Sequence, residues 1–197
     1  MLLLASTSRY RRALLERLQT PFETAAPDFD ESAQDDAFAT MDDPSFALRL
    51  AEGKARSLAG QYSGHLILAA DQIATVEAPT RTLLHKPGTV ERAVDQLMLL
   101  AGKTHVLTTG VVMFEPTSGR LETAVDQQRL TMRSYSAEEA EAYVRAAEPL
   151  DCVGAYRVED AGITLFQRIE ADDVTGVIGL PLLVVCDLLR RFERLPA

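Results

Sequence analysis

Short apolar runs alternate with amphipathic segments along this chain, and that alternation restricts the fold more than any other feature. Residues 2–5 and 65–71 have the length and composition of buried strands. Apolar residues at helical spacing predict helices over about 9–19 and 44–62. Strands that alternate with helices in this way are typical of α/β proteins, so we predict an α/β fold.

The rest of the chain adds hairpins to this α/β pattern. Residues 73–85 form a predicted hairpin, and a turn at 116–119 joins two further strands, near 105–115 and through about 134. The remaining predicted elements are a helix over about 90–100, a helix from the Ser136/Glu139 capping box to Ala147, mixed strand and turn over 152–169, and a final helix over 179–195. Without an internal repeat or linker, residues 1–197 are predicted to form a single domain.

The charge balance argues against some classes of function. The chain has 20 basic and 29 acidic residues, a net charge of −9 and a pI near 4.9, whereas binding to a nucleic-acid polymer needs a broad basic face. No apolar run approaches the roughly 20 residues of a membrane span, and we expect no export signal. Two cysteines are too few for a disulfide framework, which fits a reducing cytoplasm.

The segment STSRYRR, residues 6–12, gathers hydroxyls and arginines at a predicted helix start. The unpaired N–H groups of a first helical turn and the positive end of its dipole attract an anion. Ser6 and Ser8 add hydroxyls, and Arg11 or Arg12 can form bidentate hydrogen bonds with phosphate. Arginines at this end oppose the helix dipole, so we favour a phosphate site over a capped helix with solvated arginines.

Further charged and polar residues lie at the predicted sheet and helices. Lys54 falls in the apolar stripe of its helix, so its ammonium either reaches out to water or reaches into a site. Asp71, followed by Gln72, is predicted to end a buried strand, where α/β sheets place ligands. Glu31, in the loop DFDES, can share a Mg²⁺ ion with Asp71. Lys86 adds a cation after the first hairpin.

In this order, the motifs resemble the Maf family of nucleoside triphosphate pyrophosphatases. The matching stretches are LASTSRYRR, the acidic loop ending in Asp30-Glu31, LAEGKA, AADQ, HKP, LAGKTHVLTTG and GLP. The resemblance covers nearly the whole chain. It implies an α/β fold with a long mixed sheet flanked by helices and a central nucleotide-binding cleft, usually in a homodimer.

The resemblance also implies individual roles. The residues that would hold the triphosphate are Ser6, Arg11, Arg12, Lys54 and Lys86. Glu31 and Asp71 would handle a divalent cation, Mg²⁺ or Mn²⁺, and the attacking water, with Asp71 as the proton acceptor. The arginines and hydroxyls near the N-terminus would then form a triphosphate cradle on an otherwise acidic protein.

Within the family, the chain most resembles the YceF-like branch, whose members act on 7-methyl-GTP. It shares S-R-Y-R-R, with Tyr10 before the arginine pair, and PLDCVGAYRVED, which contains Glu159. N7-methylated guanine is a cationic ring system, so an aromatic ring and a carboxylate both favour it. Gln72 would hold the remaining base atoms. The chain departs from the branch at Arg9, where proline is usual, and at His85, where glycine is usual.

The expected activity is hydrolysis of 7-methyl-GTP to 7-methyl-GMP and pyrophosphate. Clearance of modified nucleotides and a part in cell division arrest are equally compatible with these residues. The alternatives are a dTTP/UTP pyrophosphatase of the related branch and a nucleotide-binding regulator of septation without turnover. A nucleic-acid-binding module is the weakest alternative because of the negative charge.

Overall fold

The structure is a computed structural model that describes residues 1–195. Within these residues the strands are β1 Leu2–Ala5, β2 Phe22–Ala25, β3 Leu66–Glu77, β4 Arg81–Leu84, β5 Thr104–Glu115, β6 Arg120–Met132 and β7 Phe166–Glu170. The α-helices are α1 Arg9–Glu16, α2 Asp35–Phe38, α3 Asp43–Ser57, α4 Val90–Leu100, α5 Ala137–Ala147, α6 Val174–Ile178 and α7 Leu182–Arg191. None of the helices in this part of the chain is both long and apolar enough to cross a membrane.

The seven strands form one mixed sheet. Their order is β2-β1-β3-β5-β6-β7, and β4 pairs with β3 outside this path. Strand β1 runs parallel to both β2 and β3, whereas the β3–β4 and β6–β7 pairs are antiparallel. Parallel strands with added antiparallel hairpins confirm the predicted α/β class.

The chain divides into two compact units. The first contains residues 1–72, residues 108–126 and the described residues from Asp173 onward, and the second contains residues 73–107 and 127–172. Three long strands, β3, β5 and β6, contribute residues to both units. The single domain over residues 1–197 and the central nucleotide-binding cleft stay predictions.

Helices cover both faces of the sheet in the first unit. Leu2 and Leu4 of β1 belong to an apolar cluster that contains the buried residues of α1 and α7. The alternate residues Leu3 and Ala5 belong to a second cluster with Ala51 of α3. This period of two explains why β1 is apolar at every position, because each face meets a helical layer.

Helix α3 approaches strand β5 at Gly110 more closely than another residue would allow. A Cβ atom at Gly110 would lie 2.5 Å from the backbone carbon of Ala47 and 2.6 Å from the nitrogen of Leu48. Backbone cannot yield as the end of a side chain can, so only glycine permits this approach. It fixes the height of α3 above the sheet.

The second unit contains a buried pair between His105 and Tyr156. The Nε2 atom of His105 lies 2.6 Å from the hydroxyl oxygen of Tyr156, and the ring of Phe166 packs edge-on against Tyr156. Burial lowers the pKa of His105 to about 4 and raises the pKa of Tyr156. Both side chains are therefore neutral at physiological pH and act as parts of the core.

Several predicted boundaries are wrong for identifiable reasons. Asp71 does not end its strand, because the apolar alternation runs on through Ile73 and makes the strand one arm of the hairpin. The predicted helix over 179–195 begins only at Leu182, since Gly179 has a φ of +120° and Pro181 lacks an N–H group. The helices predicted over 9–19 and 44–62 end at Glu16 and Ser57, and α6 was not predicted.

Candidate active site

A lysine joins two carboxylates at the centre of the site. Asp71 of β3 and Lys54 of α3 are both 4% exposed. The Nζ atom of Lys54 forms an ion pair with Oδ1 of Asp71 and lies 2.8 Å from Oε1 of Glu31. The Lys54 ammonium therefore does not reach out to water but pairs with these two carboxylates, which supports the interpretation that it reaches into a site.

The two adjacent carboxylates of the acidic loop, Asp30 and Glu31, have different partners. Oδ1 of Asp30 accepts hydrogen bonds from the backbone N–H and hydroxyl of Ser32 and from the N–H of Ala33, so it closes a turn at the start of the short 3-10 helix over 32–34. Glu31 then pairs with Lys54. The ring of Phe29 packs where Gly53 lacks a side chain, since a Cβ there would lie 2.2 Å from the ring. This contact holds the loop beside α3.

Burial and neighbouring charges determine the basicity of Asp71. Desolvation raises the pKa of this carboxyl above its ordinary value, the cations of Lys54 and Arg11 oppose the rise, and the negative charge of Glu31 adds to it. The result is a buried carboxylate that is a stronger proton acceptor than an exposed one. Such a perturbation within a cluster of charged groups is typical of functional sites.

Ser8 caps the start of α1. The hydroxyl of Ser8 accepts a hydrogen bond from the N–H of Arg11 at 3.4 Å, and the hydroxyl of Ser6 accepts from the N–H of Ser8 at 3.1 Å. The first turn has no acidic residue to satisfy the helix dipole. The Nε–H of Arg11 donates to the carbonyl of Gly179 at 2.9 Å. This hydrogen bond does not use the two Nη groups of the guanidinium. Arg11 is close enough to Asp71 to influence its pKa.

The neighbouring residues Arg12 and Tyr10 make local contacts on α1. Nε of Arg12 donates to Oε1 of Glu16 at 3.0 Å in an exposed pair one turn along the helix. The guanidinium carbon of Arg9 lies 4.8 Å from the centre of the Tyr10 ring, and Arg9 also donates to the Tyr10 hydroxyl at 2.7 Å. The structure thus joins Arg11, but not Arg12, to the carboxylate cluster. The roles of Arg12 and Tyr10 stay predictions.

Gln72 is fixed by two hydrogen bonds. Its Nε2 group donates to the hydroxyl of Thr109 at 3.0 Å and to the carbonyl of Gly176 at 2.7 Å. Sequence reasoning did not identify Thr109 or Gly176 as part of the site. The available signal was position alone: Thr109 lies inside the matching stretch LAGKTHVLTTG, and Gly176 lies three residues before GLP.

Two predicted site residues belong to the second unit. Lys86 is exposed and lies between β4 and α4. Glu159 is exposed and lies in the turn before the 3-10 helix over 161–165. Their assigned roles stay predictions.

The chemistry of the carboxylates fits a hard divalent cation. No group of three or more His, Cys, Asp or Glu side chains in residues 1–195 could hold a metal ion. Mg²⁺, however, is usually bound through one or two carboxylates, with waters and substrate phosphates completing its coordination. Glu31 and Asp71 already converge on one cation, the Lys54 ammonium, and so provide a donor set of this kind.

Sequence comparison identifies the family. A family model described as Maf-like protein matches residues 1–192. The chain is also 39% identical over 188 residues to a Pseudomonas aeruginosa protein named "7-methyl-GTP pyrophosphatase", with 95% of this chain and 94% of that protein covered. The chain belongs to the Maf family, as its motifs predicted.

Proposed function

We propose that this protein hydrolyses 7-methyl-GTP to 7-methyl-GMP and pyrophosphate. The observation that carries the proposal is the buried Asp71 carboxylate, paired with Lys54 and placed near Arg11. Family membership supports nucleoside triphosphate pyrophosphatase chemistry, and the printed name of the Pseudomonas aeruginosa relative supports the choice of substrate.

Asp71 acts as the general base. Its carboxylate accepts a proton from a water molecule, whose oxygen attacks the α-phosphorus in line with the leaving group. The new P–O bond forms as the bond between the α-phosphorus and the bridging oxygen to the β-phosphorus breaks. Pyrophosphate leaves with the bond electrons, and Asp71 returns its proton to solvent.

The basic residues bind the triphosphate and offset the charge that develops on pyrophosphate. Arg11 presents its Nη groups to phosphate oxygens while Nε is held by Gly179. Lys54 lowers the pKa of Asp71, which favours its ionised form, and adds a positive charge beside it. The other proposed ligands of the phosphates are Ser6, Ser8, Arg12 and Lys86.

Glu31 and Asp71 would hold Mg²⁺ or Mn²⁺. When bound, the cation supplies charge neutralisation at the phosphates and lowers the pKa of a coordinated water. Glu31 is half exposed, so its carboxylate can exchange Lys54 for another cation without a large desolvation cost.

Tyr10, Gln72 and Glu159 provide base selectivity in this proposal. The Arg9 guanidinium lies over the ring of Tyr10, and this contact supports a role of the ring beside a delocalised positive charge. Glu159 accepts hydrogen bonds from the N1–H and N2–H₂ groups of guanine, and Gln72 contacts the remaining base atoms.

A nucleotide panel tests the activity. The purified protein with Mg²⁺ is incubated with 7-methyl-GTP, GTP, dTTP, UTP and CTP, and monophosphate and pyrophosphate are resolved. We expect the highest kcat/KM for 7-methyl-GTP. A preference for dTTP or UTP would contradict the substrate assignment but keep the chemistry. Binding without turnover of any nucleotide would contradict the enzyme proposal and favour a nucleotide-binding regulator.

Matched variants test the residue roles. Asp71→Asn should lower kcat by about 10²–10⁴, the usual contribution of a general base. Glu31→Gln should also lower turnover, whereas Asp30→Asn, one residue earlier in the same loop, should retain most of it because Asp30 caps a turn. Equal losses at the two loop positions would contradict the role of Glu31.

The proposal includes a cytoplasmic homodimer. Cys152 and Cys186, both partly exposed, form no disulfide in the described residues, which suits a reducing compartment. Sedimentation of the purified protein measures the oligomeric state, and a monomer at micromolar concentration would contradict the dimer.

A further inference from the structure

A buried carboxylate ties the start of α6 to the first turn of α7. Asp173 is 6% exposed, and its Oδ1 accepts hydrogen bonds from the backbone N–H of Thr175 at 2.8 Å and from the Thr175 hydroxyl at 2.6 Å. Its Oδ2 accepts from the N–H of Leu183 at 2.7 Å. Three donors converge on one carboxylate, and bonds to an ionised acceptor are stronger than neutral ones.

The Thr175 hydroxyl completes this connection. While it donates to Asp173, its oxygen accepts a hydrogen bond from the backbone N–H of Leu182 at 2.8 Å. Asp173 and Thr175 therefore join both ends of the segment GVIGLP, which contains Gly176 and Gly179. These side-chain bonds add to the backbone hydrogen bonds at the end of α6, such as the one from the N–H of Gly179 to the carbonyl of Gly176.

This segment contacts two side chains of the candidate active site. The carbonyl of Gly176 accepts a hydrogen bond from Gln72, and the carbonyl of Gly179 accepts one from Nε of Arg11. Gly179 has a φ of +120°, and a Cβ atom there would lie 3.8 Å from Oε1 of Gln72 and 3.9 Å from Nε of Arg11. The two carbonyls thus hold Nε of Arg11 and, together with the hydroxyl of Thr109, the amide of Gln72.

We propose that Asp173 and Thr175 are positioning residues that aim Arg11 at the triphosphate and Gln72 at the base. The inference rests on the proposed function for the roles of Arg11 and Gln72. Asp173 and Thr175 touch no reacting atom and act only through the GVIGLP segment. Groups that hold a binding side chain in its productive rotamer have large effects, because small displacements weaken every contact with the transition state.

Two substitutions at Thr175 separate the hydroxyl from the rest of the side chain. Thr175→Val keeps the shape but removes both hydrogen bonds of the hydroxyl, and we expect kcat/KM for 7-methyl-GTP to fall about ten- to hundredfold. Thr175→Ser keeps the hydroxyl and should restore kcat/KM to within about threefold of the wild type. Asp173→Asn, which replaces one of the two acceptor oxygens with an NH₂ donor, should resemble Thr175→Val.

A double-mutant cycle with Arg11 gives a readout that a merely structural role would not move. If Thr175 acts through Arg11, Thr175→Val should cost less than about threefold in kcat/KM once Arg11→Lys has removed the Nε contact. Full additivity of the two losses would overturn the inference. So would a folded Thr175→Val protein, verified by its urea unfolding transition, that retains wild-type kcat/KM.

Binding of inorganic tripolyphosphate, measured by calorimetry, separates this inference from the proposed function. If the wild type binds tripolyphosphate but hydrolyses no nucleotide, the proposed function fails, and a weaker affinity in Thr175→Val still supports positioning of Arg11. An affinity unchanged by Thr175→Val would overturn the positioning role alone. A wild type that binds neither tripolyphosphate nor nucleotide would overturn both.

Discussion

Replacing Lys54 with methionine removes the cation that contacts both carboxylates while keeping a side chain of similar length. Asp71 is then a buried carboxylate without its ammonium partner, and breaking a buried ion pair from one side costs about 3–5 kcal/mol. The pairing with half-exposed Glu31 adds less than about 1 kcal/mol because solvent screens it. Since Asp71 can relieve part of the cost by taking up a proton, we expect a loss of about 3 kcal/mol in the free energy of unfolding.

Urea denaturation at pH 7 measures this loss. With a slope of about 2.5 kcal/mol per molar urea, the midpoint should fall by about 1 M. The pH dependence of kcat/KM gives a second measurement. Lys54 lowers the pKa of Asp71, so its removal should move the acidic limb of the profile to higher pH. The direction follows because a base with a higher pKa is protonated, and inactive, over more of the acidic range.

The double variant Lys54→Met with Asp71→Leu is the matched control. Replacement of a whole buried ion pair by apolar side chains is often neutral or stabilising, so this protein should regain the urea midpoint while remaining inactive. A Lys54→Met protein with an unchanged midpoint and an unchanged acidic limb would refute the reasoning. It would mean that the charge of Lys54 has no effect on Asp71.

Three further predictions concern pH, packing and metal. The pKa of His105 is lowered from its ordinary value of 6.5 to about 4 in the folded state, so the unfolded chain takes up a proton first as the pH falls. The free energy of unfolding should therefore decrease below pH 6.5, by up to about 3 kcal/mol near pH 4. His105→Gln should therefore show a shallower loss of urea stability between pH 7 and 5 than the wild type, and equal slopes would contradict this. Gly110→Ala should destabilise by about 1–3 kcal/mol in urea, whereas Gly64→Ala, which meets no atom within 4 Å, should not. EDTA should abolish turnover, and excess Mg²⁺ should restore it; full activity after chelation would contradict the metal requirement.

The features that the sequence predicted well depend on local geometry. Ser8 and Ser136 cap their helices through hydrogen bonds to residues three positions away, so their patterns are visible in the sequence itself. The Maf motifs identified the family because their order is preserved along the chain. Lys54 was correctly placed on the buried face of α3, but that face did not reveal its partner, since the contact with Asp71 depends on tertiary packing.

The features that the sequence did not predict depend on contacts between distant parts of the chain or on segments too short to show a pattern. The strand containing Asp71 was ended too early because a strand and the first arm of a hairpin have the same alternation. Helix α6 has five residues, too few to display a helical period. The ion pair between Arg12 and Glu16 has the i,i+4 spacing of a surface pair and was not predicted, whereas the phosphate role of Arg12 stays a prediction.

The close approach of α3 to β5 at Gly110 has a consequence for how sequence changes affect this protein. The stem of Lys54 has a fixed length, so its ammonium reaches Asp71 only if the helix stays at its present height above the sheet. One added methyl group at Gly110, a position without a reactive atom, would move the Lys54 ammonium away from Asp71. Tolerance to substitution should therefore be lower at this inert residue beneath the helix than at charged residues on its solvent side.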